Sequence, residues 1–309
     1  MALVFAGKIR DFFSTPVYQL DSGLPKPKTV QGHMEKEKLC GAGFIIALNF
    51  SSDFSIFNAK LKFPDMSPFL AELIGTAILI LLGNGVVANV VLDKTKGAQS
   101  GWIVITFGWS MAVFVAVLVA QDYSGAHINP AVTIGLALAG KFPWASVGPY
   151  LLAQFLGGAL GATLVWLAYR QHYHATEDKS LKLATFCTAP QIRHDLANLF
   201  SEMLGTFVLL FAVFSLTGPN LVPGNPGQPV GLGSLGALPV GLIVLAIGLS
   251  LGGTTGYAIN PARDLAPRLM HTLLPVSEKG SSHWDYAWIP VIGPLLGGAL
   301  AAGAYLAIS

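Results

Sequence analysis

Charge is what this chain has least of. Asp, Glu, Lys and Arg make up 11% of its 309 residues, whereas an average soluble domain carries about a quarter. So few charges cannot clothe a water-facing surface, and a soluble globular protein is disfavoured. No basic block occurs and the formal net charge is only +2, so no nucleic-acid partner is implied. No Gly-x-x-x-x-Gly-Lys-Ser/Thr loop is present, and no serine or cysteine stands with a histidine in a nucleophile–base pattern. His172 and His174 have no third ligand of matching spacing and read as part of a solvated loop. An enzyme is therefore the least favoured class, and neither a cofactor nor a metal is expected. Cysteine is nearly absent. Cys40 and Cys187 lie far apart in segments flanking the apolar runs, and two free thiols are expected. The apolar run Met1–Ala6 is too short for a cleavable signal.

What is present is hydrophobic length. Apolar residues make up 53% of the chain, with 35 glycines, a composition that suits closely packed membrane helices. Six long apolar stretches run over Phe69–Leu92, Gly101–Ala120, Trp144–Tyr169, Leu196–Thr217, Ala237–Leu251 and Ala287–Ile308. Most reach the roughly 20 residues a spanning helix needs. The fifth is short, and its start is expected near Gly233, after the Gly/Pro-rich stretch Gly218–Gly231. Charged loops, notably Asp93–Lys96 and Arg170–Asp195, separate several of them. Residues 1–65 differ: they hold eight of the eighteen Lys and Arg residues, and read as a cytoplasmic extension, partly disordered.

Two shorter segments, Asn129–Gly140 and Asn260–His271, are each too short to cross. About ten helical residues span about 15 Å, half of a ~30 Å hydrocarbon core. Two entering from opposite sides and meeting at their tips would cross together. An internal repeat supports this. Ala-Glu-Leu-Ile-Gly-Thr at 71–76 returns as Ser-Glu-Met-Leu-Gly-Thr at 201–206, Gly-Ala-His-Ile-Asn-Pro-Ala at 125–131 as Gly-Tyr-Ala-Ile-Asn-Pro-Ala at 256–262, and Leu-Gly-Gly-Ala-Leu at 156–160 again at 296–300. Three spans per half is an odd number, so the second half enters from the other side and the repeat is inverted. The expected fold is all-α: six transmembrane helices plus two re-entrant half-helices, with repeat one at 66–170 and repeat two at 196–309.

The chemistry sits where the repeats meet. Asn129-Pro130-Ala131 and Asn260-Pro261-Ala262 are each a good helix start, asparagine as cap and proline at the first helical position. Both helix N-termini then face the bilayer centre, each with about half an elementary charge, and the asparagine amides become donors toward a lumen. The irregular lead-ins, including His127, are tolerable at that depth only if they line a wet cavity or are buried in protein. Glu72 and Glu202, inside apolar helices, are either proton-relaying groups or acceptors that hold the re-entrant loops; their matching positions favour the second. Arg263 follows the second Asn-Pro-Ala and lies at membrane depth, a functional position by default. Asp264 and Arg268, four apart, suit an ion pair.

These motifs resemble the aquaporin superfamily over residues 66–309, and within it the glycerol-facilitator branch. The resemblance implies a homotetramer with one pore per subunit and an aromatic/arginine constriction. Counting along the chain puts that constriction at Trp109, Gly248, Tyr257 and Arg263. Water-selective members usually carry histidine where Gly248 stands. Asp264, Arg268, Pro290 and Val291 also match the glycerol branch. Tyr257 departs from it, since phenylalanine is typical there. The resemblance implies a passive channel for glycerol, small neutral polyols and some water, closed to ions and protons. A water-selective channel and a non-conducting structural membrane protein are the alternatives. The positive charges do not decide orientation, and the expectation of a bacterial inner membrane with both termini cytoplasmic rests on the resemblance.

Overall fold

The computed structural model describes residues 66–216 and 233–309. The expected extension, Cys40, and the stretch 217–232 lie outside the described residues. Nine α-helices occur among them: α1 Pro68–Val91, α2 Trp102–Ser124, α3 Pro130–Leu138, α4 Trp144–Ala175, α5 Lys179–Ala184, α6 Asp195–Ser215, α7 Leu238–Ser250, α8 Pro261–Leu273 and α9 Ile289–Ile308. Six of these elements are long and apolar enough to cross a membrane, α7 doing so together with the 3-10 turn Gly233–Ala237 that precedes it. The half-helices α3 and α8 together supply about 33 Å of helix at ~1.5 Å per residue, enough for one crossing between them.

The burial pattern is that of an integral membrane protein. Leu152, Leu156, Leu160 and Leu167 form an exposed stripe along α4, and Ile103 and Phe107 do the same on α2. The interior holds Glu72, Asn84, Gln154, Glu202, Asp264 and Arg268, each no more than 1% exposed. In a water-soluble fold that arrangement would be inside out.

Glycine decides how the spans pack. A Cβ at Gly157 or Gly161 would strike the Leu73 or Ala77 carbonyl, so α4 lies directly on α1. Gly293 and Gly297 seat α9 on α6 in the same way, against Leu199 and Met203. The neighbouring glycines face elsewhere: a Cβ at Gly158 would sit 3.1 Å from the Ala262 carbonyl oxygen, and one at Gly298 3.1 Å from that of Ala131. Each glycine-rich helix therefore binds its own repeat's first span on one side and the other repeat's half-helix on the other. The inverted repeat is interlocked.

Three boundaries differ from expectation. The segment starting at Arg170 is not all loop. α4 continues to Ala175, where Thr176 stops it by bonding back to His172 O through both its N–H (3.0 Å) and its hydroxyl (2.9 Å). His172 and His174 thus stand in a last helical turn, and His172 Nδ1 lies 3.0 Å from the Asp93 carbonyl oxygen. Further on, Asp178 caps the unexpected helix α5 through Ser180 N at 2.7 Å. Finally, α8 runs past His271 to Leu273, and Lys279 Nζ caps its end by donating to the carbonyls of His271, Thr272 and Leu274 at 2.6–2.7 Å.

Candidate functional site

The two re-entrant lead-ins share one irregular backbone. Ala126 and Ile128 have φ of 51° and 44°, and Tyr257 and Ile259 have 38° and 43°. β-Branched residues rarely adopt such values, and they persist only where the surroundings impose them. The two buried glutamates do so. Glu72 Oε1 accepts from Ser124 Oγ (2.6 Å) and His127 N (2.8 Å), and its Oε2 accepts from Ile128 N (2.7 Å) and Gln154 Nε2 (2.8 Å). Glu202 repeats the pattern with Thr255 Oγ1 (2.6 Å), Ala258 N (2.9 Å) and Ile259 N (2.8 Å). The N–H and C=O of a trans peptide point in opposite directions. Turning these N–H groups onto the carboxylates therefore turns the carbonyls of Ala126, His127, Tyr257 and Ala258 away from them, and all four residues line one cavity. Each glutamate is thus hydrogen-bonded to the lead-in of its own repeat.

At the tips of α3 and α8 the asparagines cap their own helices. Asn129 Oδ1 accepts from Ala131 N at 2.9 Å, and Asn260 Oδ1 from Ala262 N and Arg263 N at 3.0 and 3.1 Å. Pro130 and Pro261 take the first helical position, as expected. The amides then cross between repeats: Asn129 Nδ2 donates to Ile259 O and Asn260 Nδ2 to Ile128 O, both at 2.8 Å. The expectation that both amides simply face a lumen needs refinement. One hydrogen of each ties the two halves together, and the other remains for the cavity.

That cavity, about 180 Å3, is walled by Leu79, Val113, Leu209 and Val244 on one side and by the lead-ins and both asparagines on the other. A second cavity of about 280 Å3 lies beyond it, lined by Trp102, Cys187, Thr188 and Gln191 among others. Trp109, Tyr257 and Arg263 line both, so the passage between the cavities is framed by these three side chains. The Arg263 guanidinium carbon lies 4.1 Å from the Trp109 ring centroid. Arg263 Nη1 and Tyr257 Oη are buried and have no partner among the described residues. Buried polar atoms are seldom left unpaired, and here both border a space a guest hydroxyl could occupy.

Gly248, the fourth residue predicted for the constriction, lines neither cavity. A Cβ there would lie 2.9 Å from Tyr257 Cζ and 3.1 Å from Thr106 Cγ2. The room left by its missing side chain is filled by the Tyr257 ring, so it bears on the passage through that ring. His127 sits in the lead-in with its N–H on Glu72, its Nδ1 3.1 Å from Thr133 Oγ1, and its ring against Phe142 and Tyr150. Asp264 and Arg268 form the buried pair their spacing predicts, at 2.8 Å. Asp264 also accepts from Thr188 N and Oγ1, and Arg268 donates to the carbonyls of Thr188, Ser282 and His283. That network braces α8 against the loops around it. Pro290 and Val291 open α9 and line neither cavity. Cys187 is buried and has no disulfide partner among the described residues, and burial pushes its thiol pKa well above the usual range.

Sequence reasoning missed three residues of the site. Gln154, fully buried, bridges Glu72 and Thr133, and as a lone amide in an apolar run it was open to detection. Thr188 comes from a distant loop and left no signal. Trp102 stands seven residues before Trp109, a spacing that puts both on one helix face.

Comparison with known proteins gives a consistent result. The family model described as "Major intrinsic protein" matches residues 60–305. A glycerol uptake facilitator protein of Streptococcus pneumoniae is 56% identical over 236 residues, covering 76% of this chain and 97% of that protein. A probable glycerol uptake facilitator protein of Thermotoga maritima is 53% identical, covering 78% and 98%. Among solved structures, the aquaglyceroporin of Plasmodium falciparum superposes with a TM-score of 0.65 at 30% identity, covering 77% of this chain and 93% of that one.

Proposed function

The chain belongs to the major intrinsic protein family, and from that premise we propose that it is a passive channel for glycerol and other small neutral polyols, with some water. The observation that carries the reading is the junction of Trp109, Tyr257 and Arg263 between two cavities. Its two rings offer an apolar flank to CH groups, while Arg263 Nη1 and Tyr257 Oη offer hydrogen bonds to hydroxyls. A polyol has both faces; a cation has neither. Beyond the junction, the carbonyls of the lead-ins act as acceptors and the free amide hydrogens of Asn129 and Asn260 as donors, so a file of hydroxyl-bearing molecules exchanges its water shell stepwise. Two helix N-termini keep the midpoint positive and the Arg263 guanidinium does the same at the junction, which opposes cations and protons. No covalent step and no cofactor enter this reading, and the protein acts as a channel, not an enzyme. We take the assembly to be a homotetramer in a bacterial inner membrane with both termini cytoplasmic; the bacterial relatives support the membrane assignment.

Stopped-flow light scattering on proteoliposomes tests the reading. Glycerol and water permeabilities both above those of empty liposomes are expected. Water flux without glycerol flux would move the protein to the water-selective class, and neither flux would leave the non-conducting alternative.

A further inference from the structure

Trp102 lies outside the motifs, yet it touches the ring that shapes the junction. It opens α2 two turns before Trp109, and both indoles line the outer cavity. Its Nε1–H donates to the Gly248 carbonyl at 3.2 Å. Its ring meets Tyr257 edge to face, with centroids 5.8 Å apart and planes at 83°, the geometry in which an aromatic pair gains beyond its area burial. Gly248 of α7 and Gly252 in the turn after it lie against the Tyr257 ring. Gly248 and Gly252 present no side chains, and a Cβ at Gly252 would lie 2.9 Å from Trp102 Cζ2 and would strike the Tyr257 ring. The phenol therefore occupies a slot between bare helix backbone and the edge of an indole. Its own hydroxyl makes no bond within the described residues that would hold it there. Its backbone, at a φ of 38°, is in a conformation that a bulky residue rarely keeps.

We propose that Trp102 is a specificity-determining positioning residue, which clamps Tyr257 in the junction and so sets the size limit for permeating polyols. The inference rests on the glycerol-channel reading and deepens it. With the indole gone, the slot opens toward the outer cavity and the phenol can withdraw from the passage. Longer polyols gain more from that withdrawal than glycerol does, because they are the ones the ring obstructs.

The test compares the wild-type protein with Trp102→Leu, Trp102→Phe, Tyr257→Ala and the double variant Trp102→Leu/Tyr257→Ala. Each is reconstituted at a measured protein-to-lipid ratio, and water, glycerol and erythritol permeabilities are read. Trp102→Leu is expected to raise the erythritol-to-glycerol ratio roughly threefold to tenfold. Trp102→Phe, which keeps an aromatic edge but loses the bond to Gly248, should fall between it and wild type. The double variant should match Tyr257→Ala, since the clamp acts only through the phenol. An unchanged ratio in Trp102→Leu, a fall of all three permeabilities by one common factor, or additive effects in the double variant would each overturn the clamp. If Trp102→Leu fails to insert, Trp102→Phe decides: a shifted ratio supports the clamp and an unshifted one overturns it. A wild-type protein that passes no glycerol overturns the channel reading itself, a result distinct from a conducting wild type whose ratio ignores Trp102.

Discussion

The smallest scale carries the sharpest chemical distinctions. Glu72 accepts four hydrogen bonds and Glu202 three, and five of the seven donors belong to the irregular lead-ins. A glutamine at either position places an NH2 group against an N–H and orphans at least one buried donor. Each orphan costs about 1–3 kcal/mol. Glu72→Gln and Glu202→Gln should both lower the melting temperature in detergent, together with flux. A proton-relay role would show the opposite combination, with stability kept and transport lost. Gly248 makes a second case. Gly248→Ala sets a methyl group 2.9 Å from the Tyr257 ring and should push that ring into the passage. Overpacking of this kind costs about 1–3 kcal/mol. A fall of about tenfold in glycerol permeability, larger than the fall for water, is therefore expected in the same proteoliposome assay. Equal losses for both solutes would show that Gly248 acts on packing in general and not on the ring. The family resemblance pointed to Gly248, Tyr257 and Arg263, but it could not show that Gly248 works from behind Tyr257. Which of two neighbouring groups fills a gap depends on side-chain directions that only packed helices define.

At the scale of elements, the contacts that matter are backbone against backbone. Gly157 faces the Leu73 carbonyl and Gly297 the Met203 carbonyl, and between membrane helices such close approach takes the place of a hydrophobic driving force. Gly157→Ala and Gly297→Ala should therefore each destabilise by about 1–3 kcal/mol or more, seen as earlier thermal unfolding in detergent. Gly85→Ala is the internal control. A Cβ at Gly85 meets nothing within 4 Å, and alanine is the better helix former by up to ~1 kcal/mol, so that variant should be neutral or slightly more stable. A melt in which all three variants behave alike would remove the argument for glycine-set packing. Most helix boundaries were readable from apolar length and caps: α1, α2, α6, α7 and α9 begin or end within a few residues of their hydrophobic runs. The end of α4 and all of α5 were not. Both mix polar and charged residues among apolar ones, and their hydrogen bonds run to the α1–α2 loop or to a local cap; hydrophobicity is blind to such partners.

The described residues form two interlocked halves that meet at Asn129 and Asn260. The Asn129 and Asn260 amides each donate to the carbonyl that precedes the other asparagine, so a defect in one half reaches the other. Asn129→Asp and Asn260→Asp both lose that cross-donor and add a negative charge at the midpoint. In planar bilayers the wild-type protein should pass no measurable ionic current while glycerol flux is present in matched liposomes. The double aspartate variant, if it inserts, should pass cations, because the two helix N-termini supply only about half an elementary charge each. A silent double variant with glycerol flux intact would shift the barrier to Arg263 alone.

Hydrophobic length, the doubled Asn-Pro-Ala and the matched glutamates determined by themselves the membrane, the number of spans and the inverted repeat, because each is a local or periodic property of the chain. Tertiary structure alone decided how side chains from distant parts of the chain fit together around the passage. The junction draws Trp109 from α2, Tyr257 from a strained lead-in and Arg263 from α8. Its outer wall adds Trp102 and a loop around Thr188 that no motif announced. Such a constriction is a property of gaps between side chains far apart in sequence, and a gap exists only once the helices around it have packed.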